Sequence, residues 1–309
     1  MDNAIRLLVP PEPLRDPVLI TAFQGRGSLT PVLVASLFDR YEPEPIAEVD
    51  VDPFYDFTVA RPLVRLVDGE RTLQWPTVQF VRVALEDRDI VVLSAIEPNI
   101  AWRRMADAVR EVSEAFGIHE VVQLSSFGGG TPHTRPIPVQ WLAVSAEVPQ
   151  RFGQTPRRPR YEGPATFSMA LGTVLRDAGF EVGTLNAIAP FYLGVEPNPH
   201  AALALARALE HEFGVDFDLE DVERHVAEVE LQAVEQLANT EHLRVFLADL
   251  EQQYDDMQDA LAGTSSTLSD SPEPVHALPD SDLVIADVEA MLREHRGPGS
   301  AGAEGSRQA

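Results

Sequence analysis

Short apolar runs alternate with amphipathic stretches along the first two thirds of the chain. Residues 18–23 (VLITAF) have the length and composition of a buried strand, and Gln24-Gly25-Arg26-Gly27-Ser28 turns the chain after it. Thr30-Pro31 then supplies an N-cap and a proline in the first helical turn, which predicts a helix to about residue 39. From about residue 46 to 85 the pattern is extended. Asp68-Gly69 makes a hairpin turn between residues 62–67 and 71–75, and Val78, Phe80, Val81 and Val83 continue the extended run. The wholly apolar residues 90–93 read as a central strand that ends in Glu97-Pro98-Asn99. Trp102, Met105, Val109, Val112 and Phe116 share one helical face, stopped by Gly117. A strand at 121–124 runs into Gly128-Gly129-Gly130, a helix spans 164–178 with Gly179 as its stop, and a strand at 185–188 leads to Pro190-Phe191-Tyr192. Asn198-Pro199 opens an alanine-rich helix that reaches Phe213.

Strand alternating with helix predicts an α/β fold, a mainly parallel sheet covered by helices on both faces. In such sheets ligands sit outside the carboxyl ends of the strands. Four loops fall there: 24–28, 97–99, 127–136 and 190–192. The pattern changes after residue 214. Leu219, Val222, Val226, Val229, Ala233 and Leu237 recur every three or four residues, as do Leu243, Phe246, Leu247, Leu250, Tyr254, Met257 and Leu261. With Asn239-Thr240 between them, they predict a helical hairpin with an acidic outer face, which either caps the sheet or serves as an assembly surface. The expected organisation is a sheet domain over 1–214, a hairpin extension over 215–262, a Ser/Thr/Pro/Asp-rich flexible linker over 263–282, a short helix over 283–296 and a disordered tail over 297–309.

Charge and composition narrow the function classes. The 309 residues carry a net charge of −25, which repels duplex nucleic acid and anionic membranes. No apolar run approaches the roughly 20 residues that span a bilayer, and the first residues lack a signal-peptide layout, so a cytoplasmic protein is expected. Without cysteine there is no thiol nucleophile, disulfide or thiolate metal site. All 24 basic residues are arginine, so a Schiff-base lysine and a Walker-type phosphate lysine are both excluded.

The loop Phe127-Gly128-Gly129-Gly130-Thr131-Pro132-His133-Thr134-Arg135-Pro136 is the most unusual stretch. Three glycines cost backbone entropy and suit a tight path or a close backbone approach, while the prolines stiffen the part that carries His133 and Arg135. His133 is either a general base or a hydrogen-bonded loop histidine. Arg135 is either a clamp for a carboxylate or phosphate, or half of an ion pair with Glu97 or Glu162. Glu97 is either a poised carboxylate or a cap for the helix that follows it. Ser125 and Ser126 precede the glycines, but no Gly-x-Ser-x-Gly elbow is present. Gly25, Gly27 and Gly128–130 could cradle an anion through backbone amides, though neither run has a full phosphate-loop signature. His225 and Glu228 share a helix face without a metal-site pattern, and the sequence implies no metal and no cofactor.

A set of phrases in fixed order resembles the proteasome assembly chaperone 2 family in its actinobacterial branch. They are Asp52-Pro53, Tyr55-Asp56-Phe57, Arg61-Pro62, Trp75-Pro76, Glu97-Pro98-Asn99 with Trp102, Pro132-His133-Thr134-Arg135-Pro136, Tyr161-Glu162-Gly163-Pro164 and Pro197-Asn198-Pro199. They extend over about residues 14–262, and the segment around 283–292 is similar to the family's C-terminal helix. The resemblance implies a phosphorylase/hydrolase-like fold with a helical C-terminal extension, self-association, and a relationship to chaperones of proteasome α-ring assembly. The family implies no settled reaction for bacterial members. Gly25-Arg26-Gly27-Ser28 stands where relatives carry a Gly-Trp-Asn-Asp-Ala-Gly-like stretch, and Pro190-Phe191-Tyr192 where relatives often have Pro-His-Tyr. The expected function is a non-catalytic assembly protein, homo-oligomeric, with proteasome subunits as partners and no nucleic acid or membrane. The alternative is a small-molecule-binding protein, or a hydrolase- or ligase-like enzyme, that takes an anionic metabolite. Its site would draw on Arg26, Glu97, Asn99, His133, Arg135, Tyr161 and Glu162.

Overall fold

The computed structural model describes residues 4–24, 35, 37, 40–159, 161–194, 198–238 and 241–263. Two units are distinguished, Met1–Met257 and Gln258–Ala309. The described residues of the second unit are the last turns of the final helix. Gly25, Arg26 and Gly27, most of the helix expected over 30–39, and the expected linker, short helix and tail lie outside the described residues.

Eight strands form one sheet. In chain order they are β1 (Ile5–Leu7), β2 (Val18–Gln24), β3 (Glu44–Val49), β6 (Gln79–Ala84), β7 (Asp89–Ile96), β8 (Glu120–Gly129), β9 (Val139–Ala143) and β10 (Glu181–Pro190). Across the sheet they run β1-β3-β6-β7-β2-β8-β10-β9. The centre, β7-β2-β8-β10, is parallel. The strands outside it pair antiparallel. The central strands are apolar on both faces because helices cover both. Leu19, Val91, Leu93, Val121 and Val182 pack on one side with helices α1 (Trp102–Ala115) and α2 (Phe167–Asp177). Val18, Ile20, Ile90, Val92, Val122, Leu185 and Ala187 pack on the other with helix α3 (Pro199–Phe213).

The helix ends follow their local chemistry. In α1, Met105, Val109 and Val112 are buried, and the following Gly117 takes the left-handed conformation (φ 69°) that ends helices. Asn198 caps α3 by accepting from the His200 N–H at 3.1 Å, Pro199 takes the first helical position, and Gly214 closes the helix at φ 69°. Helices α4 (Glu220–Ala238) and α5 (Glu241–Gly263) follow, matching the predicted helical extension.

Two features fell outside the sequence reading. β9 returns beside β10 as an antiparallel edge strand. β4 (Leu63–Val67) and β5 (Glu70–Gln74), joined by the predicted Asp68-Gly69 turn, form a separate two-stranded sheet rather than extending the main one.

Gly183, inside β10, is dictated by space. A Cβ there would clash with three ring atoms of the buried Trp141, whose Nε1 is anchored by donating to the Pro149 carbonyl at 3.0 Å. Gly183→Ala is therefore expected to cost about 1–3 kcal/mol as an overpacking change. Urea unfolding at neutral pH would read it as a lower midpoint with an unchanged slope.

Candidate functional site

The unusual loop lies at the carboxyl end of β8, and α5 covers it. Gly128 and Gly129 are the last two residues of the strand rather than loop, registered against Ala189 and Pro190 of β10. Their lack of a side chain matters for space. A Cβ on Gly128 would lie 2.9 Å from Phe191 Cβ, and one on Gly129 would collide with Ile188 Cγ2. Gly130 faces Leu250 of α5 at ordinary contact distance.

Beyond the glycines, Thr131, Pro132 and His133 are buried. The His133 backbone N–H donates to Tyr192 Oη at 2.7 Å, and its ring Nδ1 lies 2.7 Å from the same oxygen. Burial pushes the Tyr192 phenol up to about 12, so it keeps its proton. The Oη–Nδ1 contact is one hydrogen bond, in which the imidazole tautomer decides which partner donates. Burial lowers the His133 pKa against the opposing pull of Glu230 and Glu251.

The next three residues tie the loop to α5. The Thr134 hydroxyl donates to Glu251. Arg135 grips Asp255 with two donors, Nε at 2.9 Å and Nη2 at 2.8 Å, and its Nη1 lies 3.6 Å from Glu251. The hydrogen bonds from Arg135 hold the Asp255 carboxyl below its usual range. Tyr254 Oη donates to the Pro136 carbonyl at 2.9 Å, and Phe246 meets the rings of Phe191 and Tyr192 edge-on. The partners of Arg135 are thus on α5, not Glu97 or Glu162. No local spacing links residues 120 positions apart. The available signal was the 251/255 repeat of acids one helical turn apart beside Leu250 and Tyr254.

A second histidine, His200 in the first turn of α3, is 5% exposed. Its Nε2 is 3.4 Å from Glu230 Oε1 of α4, too long for a good hydrogen bond, and neither ring nitrogen has a hydrogen-bond partner among the described residues. Burial lowers its pKa, and the charges of His133 and His225 add to that, against Glu230. His133 and His200 therefore sense each other's charge. Sequence reading did not single out His200, because nothing local marks it.

Most of the remaining candidates have other partners. Glu97 accepts a short hydrogen bond from the Phe167 N–H, so it caps α2 rather than the helix that follows it. Asn99 Oδ1 accepts from the Asp56 N–H at 3.0 Å, and the Asn99 N–H donates to the Phe54 carbonyl, also at 3.0 Å. Tyr55 Oη reaches the Ile96 carbonyl, so the 52–57 and 96–99 segments interlock. Tyr161 is exposed and donates to the Pro164 carbonyl at 3.0 Å within its own turn, and Glu162 is exposed. Among the described residues, no hydrogen bond or ion pair joins Glu97, Asn99, Tyr161 or Glu162 to His133 or Arg135. Among the described residues, no group of three or more His, Asp or Glu is placed to hold a metal, and no helix is long and apolar enough to cross a membrane.

The model of the PAC2 family matches residues 19–238. A Mycobacterium tuberculosis proteasome-assembly chaperone homologue is 33% identical, with a TM-score of 0.64, covering 74% of this chain and 99% of its own. A PAC2 family protein from Streptomyces avermitilis is 31% identical at TM-score 0.64, covering 76% and 99%. A Corynebacterium glutamicum protein of unknown function is 25% identical at TM-score 0.71, covering 84% and 99%. No curated protein matches the sequence.

Proposed function

Because the chain belongs to the PAC2 family, we propose that it is a non-catalytic assembly factor acting on proteasome α-subunits. One observation carries this reading: the 33% identity to a proteasome-assembly chaperone homologue, along 99% of that protein. The loop geometry supports it. Arg135 and Thr134 are engaged by Asp255 and Glu251 of α5, so the loop sets the position of a helix instead of presenting its charge to a substrate. An acidic helical extension held in this way is a surface suited to partner subunits.

The test is reconstitution with α-subunits from the native host. Wild-type protein is expected to bind free α-subunits and to speed their assembly. Arg135→Ala, which removes both donors to Asp255, is expected to reduce that binding. Wild-type protein that neither binds α-subunits nor changes their assembly rate would end this reading.

A second reading, a binding site for an anionic small molecule, is favoured by one observation. Among the described residues, Thr21 Oγ1 and Asn186 Nδ2 are buried without hydrogen-bond partners, and Ser125, the β8 residue registered with Asn186, is exposed. Buried donors of this kind are normally satisfied. A thermal-shift series with phosphate and small carboxylates checks it. A rise in Tm that Asn186→Ala abolishes would favour a ligand at the carboxyl ends of the strands, and a flat series would exclude these probes.

A further inference from the structure

The β4–β5 hairpin is built like half of an interface. Alternation puts Val64, Leu66, Leu73 and Trp75 on one face, together with Arg71. The other face mixes Leu63 and Val67, 55% and 54% exposed, with Arg65, whose Nε donates to Gln74 Oε1 at 3.1 Å, Thr72 and Glu70, so it is the more polar of the two. A hairpin patterned in this way buries its apolar face in a folded domain. Here that face is open: Val64 is 62% exposed, Leu66 72%, Leu73 55% and Trp75 47%. Among the described residues, β4 and β5 pair only with each other, and the Trp75 ring leans on Phe57 at the base of the arm. A two-stranded hairpin on its own is marginal in water. Its exposed apolar area, on the order of several hundred Å², matches the largest patch of an ordinary monomer, which is often functional.

Charge says what covers it. The hairpin, Leu63–Gln74, is charge-balanced, with Arg65 and Arg71 against Asp68 and Glu70, and the one charged side chain on its apolar face is Arg71, in a chain of net charge −25. A second copy of this chain is therefore an attractive surface for the arm, although two acidic bodies repel elsewhere. The matching apolar surface lies on α4. Leu231 and Val234, one turn apart, are 67% and 57% exposed on a helix with six acidic residues and a single arginine. We infer that the β4–β5 arm of one copy docks its Val64–Leu66–Leu73–Trp75 face on the Leu231/Val234 face of α4 in a second copy. Each copy then gives one arm and receives one, which closes either as a reciprocal dimer or as a ring. This inference stands apart from the proteasome reading, since it needs no client.

Complementation between two variants of the full-length chain tests it, read by sedimentation velocity, with thermal unfolding as the check on folding. The positions are exposed, so Val64→Asp/Leu66→Asp (arm-defective) and Leu231→Asp/Val234→Asp (face-defective) should unfold cooperatively with the Tm of wild type diluted to monomer. Wild type is expected to self-associate, and each variant alone to sediment as a monomer, with self-association weakened at least about tenfold, as for loss of central contact residues. A one-to-one mixture should regain a dimer, because one intact arm then meets one intact face. A monomeric wild type, an oligomer unmoved by either variant, or a mixture that stays monomeric would each overturn the inference. So would arm variants that keep the oligomer but lose α-subunit binding, which would assign the arm to a client. Single cysteines at Leu66 and Val234, in a chain with none of its own, should cross-link between copies on oxidation. Cross-linking by Leu66→Cys alone would point to arm-on-arm packing instead and would also overturn the inference.

Discussion

Asp89→Ala is expected to destabilise the fold by about 3 kcal/mol, the lower end of the cost of breaking a buried ion pair. The Asp89 side chain is 1% exposed at the start of β7. It accepts the Arg15 backbone N–H at 2.8 Å, the Arg82 guanidinium at 3.0 Å and the Arg15 guanidinium at 3.3 Å. It thereby ties the segment before β2 to the β6–β7 hairpin. Among the described residues, its loss would leave Arg82 with Glu44 alone, and the buried Arg82 Nε already has no partner there. The lower end applies because a cavity of about 330 Å³, lined in part by Glu12, Arg15, Glu44, Arg82 and Asp89, gives water access to the freed charges. Burial pushes the Asp89 carboxyl up, but the Arg15 amide and the Arg82 guanidinium outweigh it and hold its pKa below the ordinary value. Its stabilising contribution is therefore present above that ordinary value and is lost as pH falls through the lowered one. Urea unfolding at neutral pH measures the substitution. A loss below about 1 kcal/mol would class the cluster with surface ion pairs. Asp89→Asn, which keeps an acceptor for the Arg15 amide, should recover part of the loss.

What the sequence made legible follows from where the determining contacts lie. The four central strands and α1–α3 are specified by neighbours within a few residues: the wholly apolar 90–93 run, the Trp102–Phe116 face stopped by Gly117, and the Asn198-Pro199 start with its Gly214 stop. β9 was missed because Pro136 and Pro138 precede it and its alternation is short, so that only pairing with β10 makes it a strand. The Asp68-Gly69 hairpin was legible as a hairpin, but its detachment from the main sheet depends on packing, which local pattern does not contain. The candidate site shows the same divide. His133, Arg135 and the glycines stood out by composition, whereas their partners Tyr192, Glu251, Asp255 and Leu250 lie roughly 60 to 120 residues away. The family phrases at 52–57 and 97–99 were read separately, and the structure joins them through Phe54, Tyr55, Asp56 and Asn99.

Stability is expected to fall as pH drops below about 6.5, the ordinary histidine value, before the carboxylates begin to protonate. His133 and His200 are both buried, and both have folded-state pKa values lowered mainly by that burial. Between the ordinary and the lowered value the unfolded chain binds protons that the folded chain refuses, so unfolding gains free energy as pH falls. The slope reaches up to about 1.4 kcal/mol per pH unit for each histidine. Three elements set the size of the effect. From α4, Glu230 favours the charged forms of both rings, while His225 opposes that of His200. From α5, Glu251 favours charge on His133. Between β10 and α3, Tyr192 Oη lies 2.7 Å from His133 Nδ1, so once the ring is charged Nδ1 must be the donor in that hydrogen bond. His133 and His200 also repel each other once charged, which steepens the loss when both titrate. Urea unfolding at about pH 7.5, 6.5 and 5.5 on wild type and on His133→Asn/His200→Leu separates this from general acid effects. The wild type should lose stability mainly between about pH 6.5 and 5.5, and the double variant should run nearly flat there. Equal slopes would assign the acid sensitivity to other groups. If the histidines are responsible, the regions to loosen first are the α5 contact on the His133 loop and the α3–α4 contact at His200, and faster amide hydrogen exchange in α4 and α5 at about pH 5.5 would locate them.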